Sequence, residues 1–213
     1  MSFSWFIDAV AEFTVAFHGV FWHDTWSVVV PPLSQPFDLN YVPSKDFKVL
    51  VIGLTFGKIL VLDPSTNTWR EPTPTEYATK LSKIGVYHRC SDWMDWHWDP
   101  FVNSLGVDGR FIYPQLGFAS ASNPYELRIV NPTDLIVYSD VTFWVIKFPN
   151  EIDCPIWGNE KGKCDVEELF RKYMLSRAIH YMAMGKMFWE GLKTPQDVDK
   201  FVSYFRKKIG VEQ

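Results

Sequence analysis

The run Glu126-Leu-Arg-Ile-Val-Asn-Pro-Thr-Asp-Leu-Ile-Val-Tyr-Ser-Asp-Val-Thr-Phe-Trp-Val-Ile-Lys-Phe148 carries the plainest β-strand signal in the chain. β-Branched and aromatic residues dominate it, and the turn-forming residues 131–134 interrupt it. We therefore expect three strands, at residues 126–130, 135–138 and 141–148.

Similar runs extend upstream of this stretch. They lie at residues 47–52, 58–63, 84–87 and 110–113, and Pro64 to Asn67 reads as a turn between the run at 58–63 and a further short run at 68–71. Short strands with regular turn signals are typical of an antiparallel β-sandwich or an open barrel. The expected fold class is therefore α+β, with an antiparallel β-domain at residues 45–160.

The first 44 residues read as a hydrophobic helix followed by a proline-rich arm. Apolar side chains surround a narrow polar stripe over residues 4–18, so this helix must be buried on several sides. Prolines exclude a helix from residues 27–44 and favour an extended arm. A helix of this kind packs in its own core or against another subunit. For a subunit contact the expected interface residues are Phe3, Trp5, Phe6, Val10, Phe13 and Phe17.

Residues 161–213 read as a C-terminal helical hairpin. Asp165 can cap a helix, and Glu168 stands three residues later, as in a capping box. A second helix is expected from Thr194, with Pro195 in its first turn. The sequence thus predicts three regions, at residues 1–44, 45–160 and 161–213.

Composition excludes several classes of protein. The 213 residues are 47% hydrophobic and 22% charged, which is not the composition of a disordered chain. A net charge of −4 gives no indication of nucleic-acid binding. No apolar run of membrane-spanning length is free of acidic residues, so a membrane is not an expected partner. The N-terminus lacks the basic region of a secretory signal, so the expected location is cytoplasmic or in a virion.

Cysteine usage gives one candidate disulfide. The chain has three cysteines and no CxxC pair, which excludes a zinc ribbon. Cys154 and Cys164 flank a glycine-containing loop that could bring their sulfurs together in an oxidising setting or a protected particle. Two unrelated thiols explain the same spacing.

The segment His88-Arg-Cys-Ser-Asp-Trp-Met-Asp-Trp-His-Trp-Asp99 contains the best candidate site. On a strand, Asp95, His97 and Asp99 point to one face, and the intervening tryptophans point to the other. Together with His88 these side chains could bind a divalent transition metal. A tryptophan-rich strand with a solvated polar face explains the pattern equally well.

The tryptophans of the same segment allow another interpretation. Trp93, Trp96 and Trp98 could present flat faces on which a carbohydrate stacks, although sandwich cores also contain tryptophan.

The leading functional hypothesis is a non-enzymatic subunit of a larger protein particle, such as a virion component. Its partners would be copies of itself or other proteins, and it would need no cofactor. Three features favour it: the apolar helix, the proline-rich arm and a charge difference between the two ends. Residues 1–44 contain no Lys or Arg, whereas residues 161–213 contain 11 basic and 7 acidic residues. Opposite charges at the ends would suit a head-to-tail contact.

Two alternatives remain open. One is a metal-dependent hydrolase or nuclease centred on Asp95, His97 and Asp99. The other is a β-sandwich that binds a carbohydrate or another ligand through its tryptophans.

Overall fold

The computed structural model describes residues 4–33, 35–90, 95–102, 111–112, 117–153 and 162–175, together with residues 203, 206 and 207. Over these residues the chain is a β-rich α+β protein. The helices are α1 (Ser4–Ala16), α2 (Pro74–Thr79) and α3 (Val166–Leu175), with a 3-10 turn at Leu81–Lys83. The strands are β1 (Val20–Val30), β2 (Phe37–Tyr41), β3 (Phe47–Phe56), β4 (Leu60–Asp63), β5 (Thr68–Arg70), β6 (Gly85–Arg89), β7 (His97–Pro100), β8 (Phe111–Ile112), β9 (Phe118–Ala119), β10 (Tyr125–Val130), β11 (Val137–Pro149), β12 (Glu151–Asp153) and β13 (Lys163–Asp165).

The strands form three sheets, and every described strand pair is antiparallel. A seven-stranded sheet contains β1, β3, β4, β5, β8, β9 and β11. A four-stranded sheet has the order β2-β10-β6-β7, and β12 and β13 form a separate hairpin.

Strand β11 organises the seven-stranded sheet. It pairs with β1 along one edge and with β3 and β4 along the other. The two strands expected at 135–138 and 141–148 are one continuous strand, Val137–Pro149. Its residues continue the alternation of buried and half-buried positions through Ser139 and Asp140, so the polar pair does not break the strand.

Two hydrophobic cores divide the molecule into three layers. In the first core, the seven-stranded sheet contributes residues such as Val51 and Phe143, and the four-stranded sheet contributes Leu127. In the second core, α1 and α3 cover part of the other face of the seven-stranded sheet, where Phe13 and Phe170 meet edge to face at 5.0 Å between ring centroids. Strand β3, in the middle of the larger sheet, is therefore buried on both faces, which explains why it is nearly continuous in apolar residues.

The two ends of the chain differ in part from expectation. Helix α1 lies within the expected range, but Val10 and Phe13 are 1% and 0% exposed in the second core, and Phe17 packs against that core. Val10 and Phe13 thus contact this chain's own sheet and helix rather than another subunit. Phe3 and the side chains of Trp5 and Phe6 lie outside the described part of the chain.

The expected arm at residues 27–44 is extended but not free. Residues 27–30 belong to β1, which pairs with β11, and residues 37–41 form β2, which pairs with β10. The prolines lie in and around the connection between the two strands, where their missing N–H groups cost no sheet hydrogen bond.

The C-terminal region is confirmed only at its start. Asp165 caps α3 as expected, because its Oδ1 accepts hydrogen bonds from the backbone N–H of Glu167 (2.9 Å) and Glu168 (3.1 Å). The rest of the expected hairpin, including its second start at Thr194, lies outside the described residues, apart from helical backbone at 203, 206 and 207. None of the helices in the described ranges combines the length and the hydropathy required to span a bilayer.

A β-bulge in β3 resets which side chains face each core. Trp144 of β11 lies opposite Gly53 and Val145 lies opposite Val51, so Ile52 has no opposite residue. Before the bulge, Val51 faces the sandwich core; after it, Leu54 faces that same core. The bulge also brings Gly53 under the ring of Phe111, where an added Cβ would lie 1.8 Å from Cζ.

We predict that Gly53→Ala destabilises the fold by about 1–3 kcal/mol, because the new methyl group overlaps a buried aromatic ring. Urea denaturation measures the change. Gly57→Ala is the matched control, since its added Cβ would meet nothing closer than Asp140 Cβ at 3.4 Å. Equal stability of the two variants would contradict the packing described for Phe111.

Candidate functional site

The four-stranded sheet brings a polar cluster into the sandwich core. His88 lies on β6, an interior strand with β10 on one side and β7 on the other. In the register of these strands, His88 is opposite His97 of β7 and opposite Leu127 of β10. Its side chain is 0% exposed. Burial of an imidazole at such a position requires hydrogen-bond partners for both ring nitrogens.

Both partners come from the diagonal positions of the neighbouring strands. His88 Nε2 lies 3.0 Å from Asp99 Oδ2, and His88 Nδ1 lies 2.8 Å from the hydroxyl of Tyr125. Diagonal neighbours on one face of a sheet are within reach of long side chains. A carboxylate oxygen pairs with an N–H at His88 Nε2, and in that tautomer Nδ1 accepts from the Tyr125 hydroxyl. The three side chains form a linear hydrogen-bonded chain, with His88 between Asp99 and Tyr125.

The environment fixes the protonation of the tyrosine. Tyr125 is 0% exposed. Burial, together with the nearby Cys90 and Asp99, raises the pKa of Tyr125 well above its usual value of 10. Its hydroxyl therefore remains protonated, and it can either donate to or accept from His88.

His97 opens the cluster to solvent. Its side chain is 38% exposed, and its Nε2 lies 3.9 Å from Asp99 Oδ2, whereas Asp99 itself is only 6% exposed. One ligand atom from each of His88, His97 and Asp99 lies within 4.8 Å of the others. The cluster is thus enclosed on the core side and accessible on the side of His97.

These distances suit a divalent transition metal. In a tetrahedral site with bonds of about 2.0–2.1 Å, ligand atoms lie about 3.3–3.4 Å apart, so shifts of the order of 1 Å complete the site. Imidazole and carboxylate are ligands that zinc and related ions accept. Without an ion, the same atoms satisfy one another through the hydrogen bonds already described.

The structure brings together three of the four expected ligands. His97 and Asp99 share the inward face of β7, as the strand periodicity predicts, and His88 joins them from β6. Asp95 precedes β7, is exposed and lies outside the group of three. Sequence reasoning missed Tyr125. It begins a strand that alternates buried and half-buried residues, but only the pairing of β10 with β6 brings it to His88.

The tryptophans near the cluster occupy the opposite face of the four-stranded sheet. The guanidinium groups of Arg89 and Arg128 lie over the ring of Trp96, at 4.6 and 4.9 Å from its centroid. The ring of Trp96 thus packs against two guanidinium groups, and stacking of a carbohydrate on these tryptophans stays a prediction. Trp98 is 52% exposed beside Gly85, and Trp93 lies outside the described residues.

Neither of the described cysteines belongs to the group of three candidate ligands, although Cys90 lies near Tyr125. Cys90 is a free, buried thiol, and burial, assisted by the negative charge of Glu167, raises its pKa to about 12. It is therefore protonated and unreactive. Cys164 lies on β13, where the hairpin with β12 brings Lys163 opposite Asp153. Because Cys154 lies outside the described residues, the disulfide between Cys154 and Cys164 stays a prediction.

No protein-family model matches the chain, and no curated protein matches its sequence. The chemistry of the His88, His97 and Asp99 cluster must therefore be inferred from its own residues.

Proposed function

We propose that the protein binds one divalent transition-metal ion, most simply zinc, through His88, His97 and Asp99, and that it is a metal-dependent hydrolase. The observation that carries the proposal is the convergence of two imidazole nitrogens and one carboxylate oxygen within 4.8 Å, from two adjacent strands. Three protein ligands leave a coordination position for water or substrate, as in catalytic rather than structural zinc sites.

The type of ligand argues for a transition metal. Calcium and magnesium prefer sites made of oxygen ligands, whereas two imidazoles favour zinc, iron or related ions. Two neutral histidines and one carboxylate leave a net charge of +1 on a divalent centre. Such a centre suits a substrate whose reacting group carries or develops negative charge, such as a carboxylic or phosphoric ester.

Tyr125 supplies the supporting hydrogen bond that metal-bound histidines require. When His88 gives its Nε2 lone pair to an ion, its proton moves to Nδ1, and the Tyr125 hydroxyl 2.8 Å away then accepts it. The tyrosine thus fixes the imidazole in either tautomer and holds it in one orientation.

The half-exposed His97 marks the side from which water and substrate enter. Of the three candidate ligands, His97 is the one with a substantially exposed side chain, since Asp99 and His88 are buried in the sandwich core. An ion bound here would lower the pKa of its water and polarise the substrate oxygen.

We predict that the wild-type protein retains about one zinc ion per chain after exhaustive dialysis and that His97→Ala loses it, because two ligands bind zinc far more weakly than three. Elemental analysis measures the zinc content. His23→Ala is the control: His23 is an exposed histidine on β1 that stacks near Trp144, at 5.3 Å between ring centroids. Unchanged zinc content in His97→Ala would refute the site.

The same proteins test the hydrolytic part of the proposal. Zinc-loaded wild-type and His23→Ala proteins should hydrolyse p-nitrophenyl acetate or bis(p-nitrophenyl) phosphate, and a chelator or His97→Ala should abolish the activity. Zinc binding without activity on either ester would leave the metal site standing and contradict the hydrolase.

We also predict that Tyr125→Phe weakens zinc binding by about 10- to 100-fold, because Nδ1–H of His88 loses its acceptor. A competition titration with a chromogenic chelator gives the dissociation constant. The control is Tyr41→Phe, which removes another buried hydroxyl, one that donates to Asp24 Oδ2 at 2.7 Å. Both variants lose about 1 kcal/mol of stability. If their dissociation constants for zinc are equal, Tyr125 has no supporting role.

A further inference from the structure

Strand β1 is a long edge of the seven-stranded sheet. It spans 11 residues, and among the described residues it pairs only with β11. Seven of its 11 residues are exposed. Its outer backbone N–H and C=O groups therefore form a regular row on which another strand can pair.

This edge lacks the features by which sheet proteins prevent such pairing. Val20–Val30 contains no Lys, Arg, Pro or Gly, and its register with β11 is continuous without a bulge. Its one acidic residue, Asp24, is already bonded, since it accepts from Tyr41 Oη (2.7 Å) and from Trp22 Nε1 (3.0 Å). The strand thus carries no lysine or arginine of its own, although the Lys147 ammonium of β11 lies 4.7 Å from the centroid of the Trp22 ring, and no bulge twists the edge away from a partner.

Exposed apolar side chains accompany the open backbone. The exposed fractions are 49% for Trp22, 36% for Trp26, 48% for Val29 and 56% for Val20. Large aromatic and β-branched side chains stabilise a sheet chiefly through contacts with an opposite strand. Several such side chains on one open edge favour a strand as the partner.

We propose that β1 pairs antiparallel with β1 of a second copy of this chain, around a two-fold axis at Thr25. The strand itself supplies the partner's chemistry, because an antiparallel edge is self-complementary under a two-fold axis. Eleven residues would form about ten inter-strand hydrogen bonds. The two seven-stranded sheets then become one continuous sheet, and this assembly does not depend on the metal site.

The register follows from three constraints. Along a strand, the N–H and C=O groups of every second residue point to the same edge. Two residues that lie opposite each other in the dimer must therefore both be even-numbered or both be odd-numbered. An axis at Thr25 meets this condition and overlaps all 11 residues. An axis at Asp24 would place two carboxylates directly opposite, which destabilises a sheet pair. An axis at Trp26 would leave the start of β1 unpaired.

In this register the tryptophans of the two copies meet. Trp22 is opposite Val28 of the second copy, and Trp26 is opposite Asp24. Trp22 therefore lies diagonal to the second copy's Trp26, within reach of aromatic side chains. Assembly through copies of itself was expected from the sequence, but this structure offers the β1 edge for it rather than Val10 and Phe13.

Charge substitutions at the axis test the proposal sharply. Thr25 is exposed, and its hydroxyl group pairs with the hydroxyl group of Thr142 (2.9 Å) in the described part of the chain, so we expect the fold to tolerate its replacement. We expect the wild-type protein and Thr25→Val to sediment as dimers. Thr25→Lys and Thr25→Asp each place like charges opposite each other and should raise the dimer dissociation constant by about tenfold or more.

A mixture of the two charged variants should dimerise again, because Lys then faces Asp across the axis. Analytical ultracentrifugation over a dilution series measures each species, and circular dichroism with urea denaturation shows that the variants are folded. A monomeric wild-type protein would overturn the proposal. So would a dimer that Thr25→Lys leaves unchanged, or a mixture that stays monomeric.

Discussion

The pairing of β11 on both of its edges is the interaction on which the rest of the structure depends. One strand of 13 residues joins β1 to β3 and β4, and its two faces supply side chains to both hydrophobic cores. Helices α1 and α3 cover part of one face of the resulting sheet, and the four-stranded sheet packs against the other. The candidate metal site lies in the four-stranded sheet, which faces β11 across the sandwich core. Strand β1 pairs with β11 along one edge, and its other edge is unpaired among the described residues.

Burial of His88 and Asp99 links the fold to the proposed chemistry. A sandwich core tolerates an imidazole and a carboxylate only if each is hydrogen-bonded, and the four-stranded sheet meets this requirement from both sides of β6. The register of the strands provides these hydrogen bonds, because it places Tyr125 and Asp99 at diagonal positions next to His88. The half-exposed His97 gives this otherwise buried polar cluster its contact with solvent, as the proposed metal site requires.

The sequence predicts features that depend on local periodicity. Helix α1, the cap at Asp165 and the common face of His97 and Asp99 follow from spacing within one element, and the structure has all three. Features set by distant pairing were missed. Tyr125 stands 37 residues from His88, and the strand at residues 20–30, which pairs with the distant β11, was not predicted although β-branched and aromatic residues dominate it. Prolines in the connection to β2 made a paired segment resemble a free arm.

The measurement that tests the central claim most directly is an X-ray absorption spectrum of the zinc-loaded protein at the zinc edge. The account predicts a first shell of nitrogen and oxygen atoms at about 2.0–2.1 Å, with the outer-shell scattering of two imidazoles and no sulfur. A first shell without imidazole scattering, or one with a sulfur atom at about 2.3 Å, would contradict coordination by His88, His97 and Asp99.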